Sequence, residues 1–255
     1  MLNQETRKKY NFILQQQLKI PYPMKNFYKT AIPLNIFQTW HTKNLPPLMS
    51  KSVDLIKSSN PAFSHKLFDD DDCYNFIKDN FDKDILDAFN TLIPGAYKAD
   101  LWRYCVLYKL GGIYIDIKYQ PINGFKFINL AEKEHWVLDC NKIGIYNALM
   151  VCKPGNNILL QAIKQIVENV KNNYYGETCL HPTGPLLLAK YFDEKEKSNF
   201  DMKHNVFENA NNRLIYFNKY IIFKTYVGYI EECDNNSKVP HYSGLWEQKN
   251  IYKNF

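Results

Sequence analysis

The sequence lacks any uncharged apolar run of the roughly 18 to 20 residues that a membrane-spanning helix needs. Its amino end, MLNQETRKKYNFILQQQ, is too polar for a signal peptide. There is also no low-complexity tract and no internal repeat with the period of roughly 20 to 50 residues that marks a solenoid. These absences exclude a membrane-spanning or repetitive protein, and we expect a cytoplasmic one.

Paired cysteines are missing as well. The six cysteines are scattered along the chain without a CxxC pair, and a chain of 255 residues does not need disulfides in order to fold. We therefore expect reduced thiols and no structural zinc site. The histidines, among them His65, His135, His181 and His204, show no ligand spacing to one another.

Clustered basic residues are absent, although the net charge is +6. Lysines and arginines alternate with acids, as in KDNFDKD and DEKEK, whereas a nucleic-acid surface needs basic residues gathered on one face. We expect no nucleic-acid partner, and we interpret the surplus as mildly favourable to an anionic ligand.

What the chain does contain is core-forming material, with 45% hydrophobic and 15% aromatic residues. This composition predicts one compact domain over residues 32–255, preceded by an N-terminal helical extension over residues 1–31. A surface helix is predicted over residues 5–19, because Pro21 and Pro23 cannot continue its hydrogen bonds.

Strand and helix patterns alternate through the first third of the domain. A β-rich run at 32–40 precedes a helical stretch at 47–59, and a second short strand within 60–72 precedes a helix at 73–81. Asp72 is the predicted N-cap of that helix, and the acids from Asp69 to Asp72 are interpreted as a solvated cap. A calcium loop there lacks the usual glycine and final glutamate.

The segment AYKADLWRYCVLYKL, residues 96–110, has apolar residues on several faces and predicts a largely buried helix. Gly111 and Gly112 end it in a left-handed cap, and IYIDIKY alternates as a strand. Later segments predict strands at 135–140, 146–154, 213–217 and 221–223, and a helix at 156–170. Such alternation indicates an α/β sheet with its ligand at the carboxyl ends of the strands.

Ionisable residues in a buried helix are rare unless they are paired or functional. Asp100 and Arg103 share one face of the buried helix, a spacing that fits an internal ion pair as well as a functional role. Asp116 follows a few residues later at the end of a strand. We expect these three charged groups to converge at one strand edge.

The block AYKADLWRYCVLYKLGGIYIDIKYQPI resembles the core of the DXD-containing sugar transferases, glycosyltransferase family 32, which are related to the fungal initiating α-1,6-mannosyltransferase and more distantly to the clostridial glucosylating toxins. Weaker similarities extend over IPLNIFQTW, NPAFSHKLFDDDD, NALMVCKPGN, TGPLLLAKY and HYSGLW. The resemblance implies a GT-A fold, which is α/β with a Rossmann-like, mainly parallel sheet flanked by helices. It also implies transfer of a sugar from a UDP- or GDP-sugar to a glycan or protein acceptor, with retention of configuration.

The resemblance also implies roles for particular residues. Asp100 and Arg103 would bind hydroxyls of the donor sugar, and Asp116 would hold ribose, sugar or the metal-bound diphosphate. Trp40 would stack on the nucleobase, while Trp246 would close over the diphosphate, where His241 and Ser243 would supply metal ligands. The donor-binding residues implied in this way are Gln38, Trp40, Asp100, Arg103, Tyr114, Asp116, Asn147 and Trp246. Thr183 is interpreted as a helix cap.

Lys118 replaces the second acid of the DXD motif, which is normally a ligand of Mn²⁺ or Mg²⁺. Its ammonium could stand where the metal would sit, which makes the enzyme independent of metal. Alternatively, Asp116 and His241 retain a metal, the site is inactive, or Lys118 merely pairs with Asp116. With Lys118 counted beside Asp100, Arg103 and Asp116 as catalytic, the sequence predicts a glycosyltransferase. The alternative is a non-catalytic protein of the same fold that binds a nucleotide sugar or a glycan.

Overall fold

The computed structural model describes residues 14–207, 212–236 and 240–253, with the side chains of residues 235 and 236 left out. Most of the helix predicted at 5–19 lies outside the described residues, and residues 14–17 are helical. No helix within the described part of the chain is both long and apolar enough to span a membrane.

Nine strands form two sheets in the described chain. They are β1 (Asn35–Thr39), β2 (Ser64–Phe68), β3 (Gly112–Ile115), β4 (Tyr119–Pro121), β5 (Val137–Leu138), β6 (Leu149–Cys152), β7 (Met202–Val206), β8 (Arg213–Phe217) and β9 (Tyr220–Thr225). The first sheet has the order β2-β1-β3-β6, in which β6 alone is antiparallel to its neighbour. The second has the order β4-β9-β8-β7-β5 and is mostly antiparallel.

Helices connect and cover the strands. They are α1 (Pro47–Ser59), α2 (Asp70–Asn80), α3 (Lys83–Thr91), α4 (Gly95–Leu110), α5 (Asn157–Lys171), α6 (Pro185–Ala189), α7 (Glu194–Ser198), α8 (Tyr229–Asn236) and α9 (Tyr242–Glu247), with a 3-10 helix at Phe127–Leu130. Helix α1 links two parallel strands, as such a connection requires a crossover. The predicted α/β class, with a mainly parallel sheet flanked by helices, is confirmed.

The first sheet separates two hydrophobic clusters, because successive side chains of a strand point to opposite faces. Phe37 and Tyr114 belong to the cluster that contains α4 and α5. Ile36, Ile113 and Ile115 belong to the cluster shared with the second sheet. The alternation predicted for residues 113–116 therefore holds, and the site lies where this central sheet ends.

Several predicted boundaries were wrong. The N-cap of α2 is Asp69, and Asp72 is the third helical residue, because the two side chains form a reciprocal capping box. Gly184, and not Thr183, precedes α6. The run predicted as one strand at 113–119 is divided between β3 and β4 by a turn in which Tyr119 N donates to Asp116 O at 3.1 Å. Strand β7 was not predicted, since its polar sequence MKHNV hides the alternation.

Candidate active site

Two glycines at the junction of α4 and β3 determine where the charged residues of α4 meet those that follow β3. Gly111 has φ 61°, which ends α4 in the left-handed region. A Cβ on Gly112 would come within 2.8 Å of the Asn35 backbone oxygen, so only glycine lets β3 lie this close to β1. The buried helix and the central strand are thus joined without an intervening loop.

Arg103 is held in a fixed position within α4. Its Nε donates to Ala99 O at 3.0 Å, and its Nη1 donates to Asn147 O at 2.9 Å. The guanidinium carbon lies 4.3 Å from the centre of the Tyr114 ring. Because these partners set the plane of the guanidinium, the cation is oriented before any ligand arrives.

Asp116 contacts both cations of the charged cluster, which consists of Asp100, Arg103, Asp116 and Lys118. Its Oδ1 accepts from Arg103 Nη1 at 3.2 Å and from the Tyr114 hydroxyl at 2.7 Å, and its Oδ2 accepts from the Lys118 ammonium. The turn after β3 brings Lys118 back onto Asp116. The Asp116 side chain is 21% exposed and that of Lys118 is 14% exposed, so both are within reach of a ligand.

Asp100 lies one step deeper. Its Oδ1 accepts from Asn147 Nδ2 at 2.8 Å and lies 3.4 Å from Arg103 Nη2, while its Oδ2 accepts from the Thr183 hydroxyl at 2.7 Å. Thr183 therefore supports the site and does not cap a helix. No pattern in its surrounding sequence connects it to Asp100, which is 83 residues away.

The electrostatics of the cluster follow from burial opposed by pairing. Burial raises the pKa of Asp100, and the nearby Arg103 only partly offsets it. Burial works in the same direction on Asp116, but Lys118 and Arg103 outweigh it and lower the pKa of that carboxyl. Burial acts against the charge of Lys118, and Asp116 reverses this and raises the pKa of the ammonium. The site therefore holds two cations, Arg103 and Lys118, together with an ionised Asp116. Asp100 is a weaker acid than Asp116.

The other predicted donor-binding residues differ in accessibility. Trp40 is partly buried against a small apolar cluster that includes Ile117, the residue between Asp116 and Lys118. Gln38 is fully buried, and its Oε1 is paired with His65 Nε2 at 2.8 Å. Its side chain links β1 to β2, its Nε2 has no hydrogen-bond partner within the described residues, and a donor contact of Gln38 stays a prediction.

His241 is the N-cap of the carboxyl-terminal helix α9, and its Nδ1 is 2.8 Å from Ser243 Oγ. Burial, followed by the charge of Arg213, lowers the pKa of His241. The indole nitrogen of Trp246 donates to Tyr175 O at 2.7 Å. This bond anchors α9 to the segment after α5, and a donor contact of the Trp246 ring stays a prediction.

The residues around Asp116 do not fit a divalent cation. Both carboxylate oxygens already accept hydrogen bonds, and two of the three donors are positively charged. Within the described ranges, Asp116 belongs to no group of three histidine, cysteine or carboxylate ligands. A cation there would displace Lys118 or meet its charge, whereas metal sites in proteins gather several free oxygen ligands.

A second acid and base pair, which the sequence reasoning missed, lies beside the cluster. His204 Nδ1 is 2.7 Å from Asp139 Oδ1, and potential ligand atoms of Asp139, Cys140 and His204 lie within 4.8 Å of one another. The prediction from sequence concerned only the spacing among the histidines, whereas the neighbours of His204 are an aspartate and a cysteine. Burial, and then the charges of Arg213 and Lys118, lower the pKa of His204 despite Asp139. This positive field disfavours a metal ion here.

A cavity of about 590 Å³ adjoins the cluster. It is lined by residues 225–231 together with Asn212 and Asp234, and the charged residues of α4 and β3 do not line it. Burial, and among smaller causes the charge of Asp116, raise the pKa of Tyr229, a residue of the cavity wall. The backbone connects the two regions, because the N–H of Tyr226, which lines the cavity, donates to Lys118 O at 3.0 Å.

Comparison with known protein families finds a match over part of the chain. Residues 46–138 match the family model described as a glycosyltransferase sugar-binding region containing DXD motif. This stretch holds α4, β3 and all four charged residues of the cluster. The resemblance to DXD-containing glycosyltransferases is confirmed.

Two of the individual proteins that the chain resembles are fungal mannosyltransferases. The chain is 28% identical over 161 residues to inositol phosphoceramide mannosyltransferase 3 of Schizosaccharomyces pombe, covering 62% of this chain and 44% of that protein. It is 30% identical over 126 residues to the initiation-specific alpha-1,6-mannosyltransferase of Candida albicans, covering 46% and 32%. The chain therefore spans less than half the length of these two relatives.

Among solved structures, the chain is similar to the PaToxG glycosyltransferase, with a TM-score of 0.48 and 17% identity over 72% of this chain and 75% of that one.

Proposed function

We propose that this chain is a glycosyltransferase that moves a hexose from a UDP- or GDP-sugar to a hydroxyl of a glycan or protein acceptor. The observation that carries the proposal is the meeting of Asp100, Arg103 and Asp116 within 3.4 Å contacts at the end of β3. The match of this same stretch to the DXD family supports it.

The chemistry assigns each group a task. The bond between the sugar carbon and the diphosphate oxygen breaks, the electron pair leaves with the phosphate, and the acceptor oxygen bonds to the same carbon. The acceptor attacks the face of the sugar carbon from which the phosphate leaves, which gives retention. Its proton passes to the leaving phosphate, so no protein base is needed. Arg103 supplies fixed positive charge, while Asp100 and Asp116 accept hydrogen bonds from sugar hydroxyls.

The names of the relatives guide the choice of substrates. Both are mannosyltransferases, so a mannosyl donor is the first to test. Their names indicate different acceptors, since one refers to inositol phosphoceramide and the other to an initiating alpha-1,6 linkage. An acceptor panel should therefore contain an oligosaccharide, a glycoprotein and an inositol phospholipid.

The direct test follows nucleotide release from UDP- and GDP-hexoses, with Mn²⁺ or with EDTA. We expect release from at least one donor, and loss of release in Asp116→Asn. Asp84→Asn is the matched control, because Asp84 is an exposed acid paired with Lys171 on another face. Tight donor binding without turnover under every condition would favour the non-catalytic alternative.

A further inference from the structure

Lys118 leaves part of its bonding capacity unused. An ammonium has three N–H donors, and within the described residues the Nζ of Lys118 donates one hydrogen bond, to Asp116 Oδ2. Its Nζ also lies 5.7 Å from the centre of the Tyr146 ring. The remaining donors are therefore available to an acceptor that enters beside Tyr146.

A second cation lies at the same ring. Arg213 begins β8, and its guanidinium interacts with the Tyr146 hydroxyl, which lies 2.8 Å from that of Tyr119. Burial opposes the charge of Arg213, but Tyr146 and Tyr119 outweigh it and raise its pKa. Tyr146 thus has the ammonium of Lys118 and the guanidinium of Arg213 in its immediate surroundings.

The two cations influence the same neighbours. The charges of Arg213 and Lys118 both lower the pKa of His204, after the larger effect of burial. Arg213 also opposes the charge on Lys118 itself. Bringing two like charges together in a partly buried place is costly, and an anion that contacts both would offset the cost.

The donor that the proposed function requires contains such an anion. A nucleoside diphosphate gains negative charge when the sugar leaves, and a divalent cation usually neutralises it. In this chain Lys118 replaces the second acid of the DXD motif, which would hold that cation. The first acid, Asp116, is already paired with Arg103 and Lys118. Two single positive charges supply the same total as one divalent ion.

We propose that Lys118 and Arg213 together bind the diphosphate of the donor in place of a divalent metal. This inference rests on the proposed function, and it adds Arg213 as a residue that recognises a nucleoside diphosphate. Binding of the diphosphate is then independent of metal. Arg213 lies 95 residues after Lys118, and the two are brought together within the second sheet, because β4, which follows Lys118, and β8, which begins at Arg213, both pair with β9.

The test measures the affinity of UDP, UMP, GDP and GMP by calorimetry, with Mn²⁺ or EDTA. We expect the wild type to prefer the diphosphate to the monophosphate equally under both conditions. Arg213→Gln and Lys118→Met should each weaken diphosphate binding about 10-fold to 100-fold, as expected for lost charge-assisted hydrogen bonds, with a much smaller effect on the monophosphate. Arg213→Lys should restore part of the preference.

Lys219→Gln is the matched control, because it removes an exposed cation from the turn between β8 and β9. It should leave the preference unchanged. Lys118→Asp should convert binding to Mn²⁺ dependence by restoring the second acid. A reduced thermal midpoint alone, with the diphosphate preference intact in Arg213→Gln, would show a structural role and overturn the inference.

The two proposals fail differently. If EDTA abolishes diphosphate binding by the wild type and Mn²⁺ restores it, or if both variants keep the preference while the enzyme still releases nucleotide, the inference is wrong and the proposed function stands. If the wild type binds no nucleotide under either condition, both are wrong.

Discussion

Helices α4 and α5 pack against each other and differ in where they place their charges. In α5 the apolar residues face the core, and Lys164, Glu168 and Lys171 are exposed. In α4 nine residues from Tyr97 to Leu107 are buried, and they include Asp100 and Arg103. Charge on a helix that is buried on every side costs free energy. The comparison indicates that α5 serves packing alone, whereas the buried Asp100 and Arg103 of α4 have a functional role.

Arg103→Met should have the largest effect on the α4 side of this comparison. It leaves Asp100 buried without its cation, which costs about 3–5 kcal/mol of unfolding free energy, and it removes charge from the leaving group. We expect a lower urea midpoint and turnover reduced at least about 100-fold. Arg103→Lys is the control that keeps the charge, and we expect it to be more stable. If Arg103→Met is as stable as the wild type, the ion pair of Arg103 with Asp100 does not stabilise the fold.

Ile163→Ala tests the α5 side. Ile163 is fully buried against the core, so the cavity that replaces its side chain should cost about 2–5 kcal/mol. Turnover per folded molecule should stay at the wild-type value, because α5 contributes no residue to the charged cluster. A specific loss of turnover at temperatures well below unfolding would remove the distinction between the helices.

Asp116→Asn should have a smaller effect on stability and a large one on activity. The amide keeps the shape but loses the charge that faces Lys118 and Arg103, at a cost of about 1.5–3 kcal/mol. Donor turnover should fall by at least about 100-fold, as measured by nucleotide release. Normal turnover in this variant would mean that the assigned site is wrong.

The same variant has a predicted pH signature. Because the pKa of Asp116 is lowered, its pairing stabilises the fold above the ordinary aspartate range near pH 4 and is lost as the pH falls through the lowered value. The Asn variant cannot lose this contribution. The stability difference between wild type and Asp116→Asn should therefore shrink in urea titrations carried out below about pH 4, and a constant difference would contradict the assignment.

Lys171→Ala should have the smallest effect. Lys171 pairs with Asp84 at 2.8 Å, but both side chains are more than half exposed, and water screens such pairs. The unfolding midpoint and the turnover should both equal those of the wild type within measurement error. A clear loss would show that surface charge on α5 matters as much as buried charge in α4.

Local patterns predicted much of the first sheet and its helices. The bounds of α1 agreed with the prediction, and those of α4 differed by one residue, because proline, glycine and the spacing of apolar residues mark helix ends. In the second sheet, the bounds of β8 agreed with the prediction and β9 was predicted two residues too short at its carboxyl end, whereas β7 was missed. The pattern of β7 is hidden because His204, one of its buried positions, is polar. The register of β7 with β8 depends on packing.

The candidate site divides in the same way. Asp100, Arg103, Asp116 and Lys118 lie within nineteen consecutive positions, so the periods of one helix and one strand were sufficient to group them. Thr183, Tyr146, His204 and Arg213 were missed, because each reaches the cluster from a distant segment. The complete burial of Gln38 was not predicted either, because strand alternation alone does not tell which face of a sheet is covered.

The sequence by itself determined that a buried helix carries an aspartate and an arginine to the end of a strand, and that a lysine stands where a second acid is usual. Those features are local, because helix and strand periods and the glycine turn are set by neighbouring residues. Only the tertiary structure decided that Lys118 folds back onto Asp116 and that Lys118 and Arg213 both lie near Tyr146. The physical reason is that contacts between distant segments depend on which strands pair within a sheet, here β4 and β8 with β9, which no local pattern encodes.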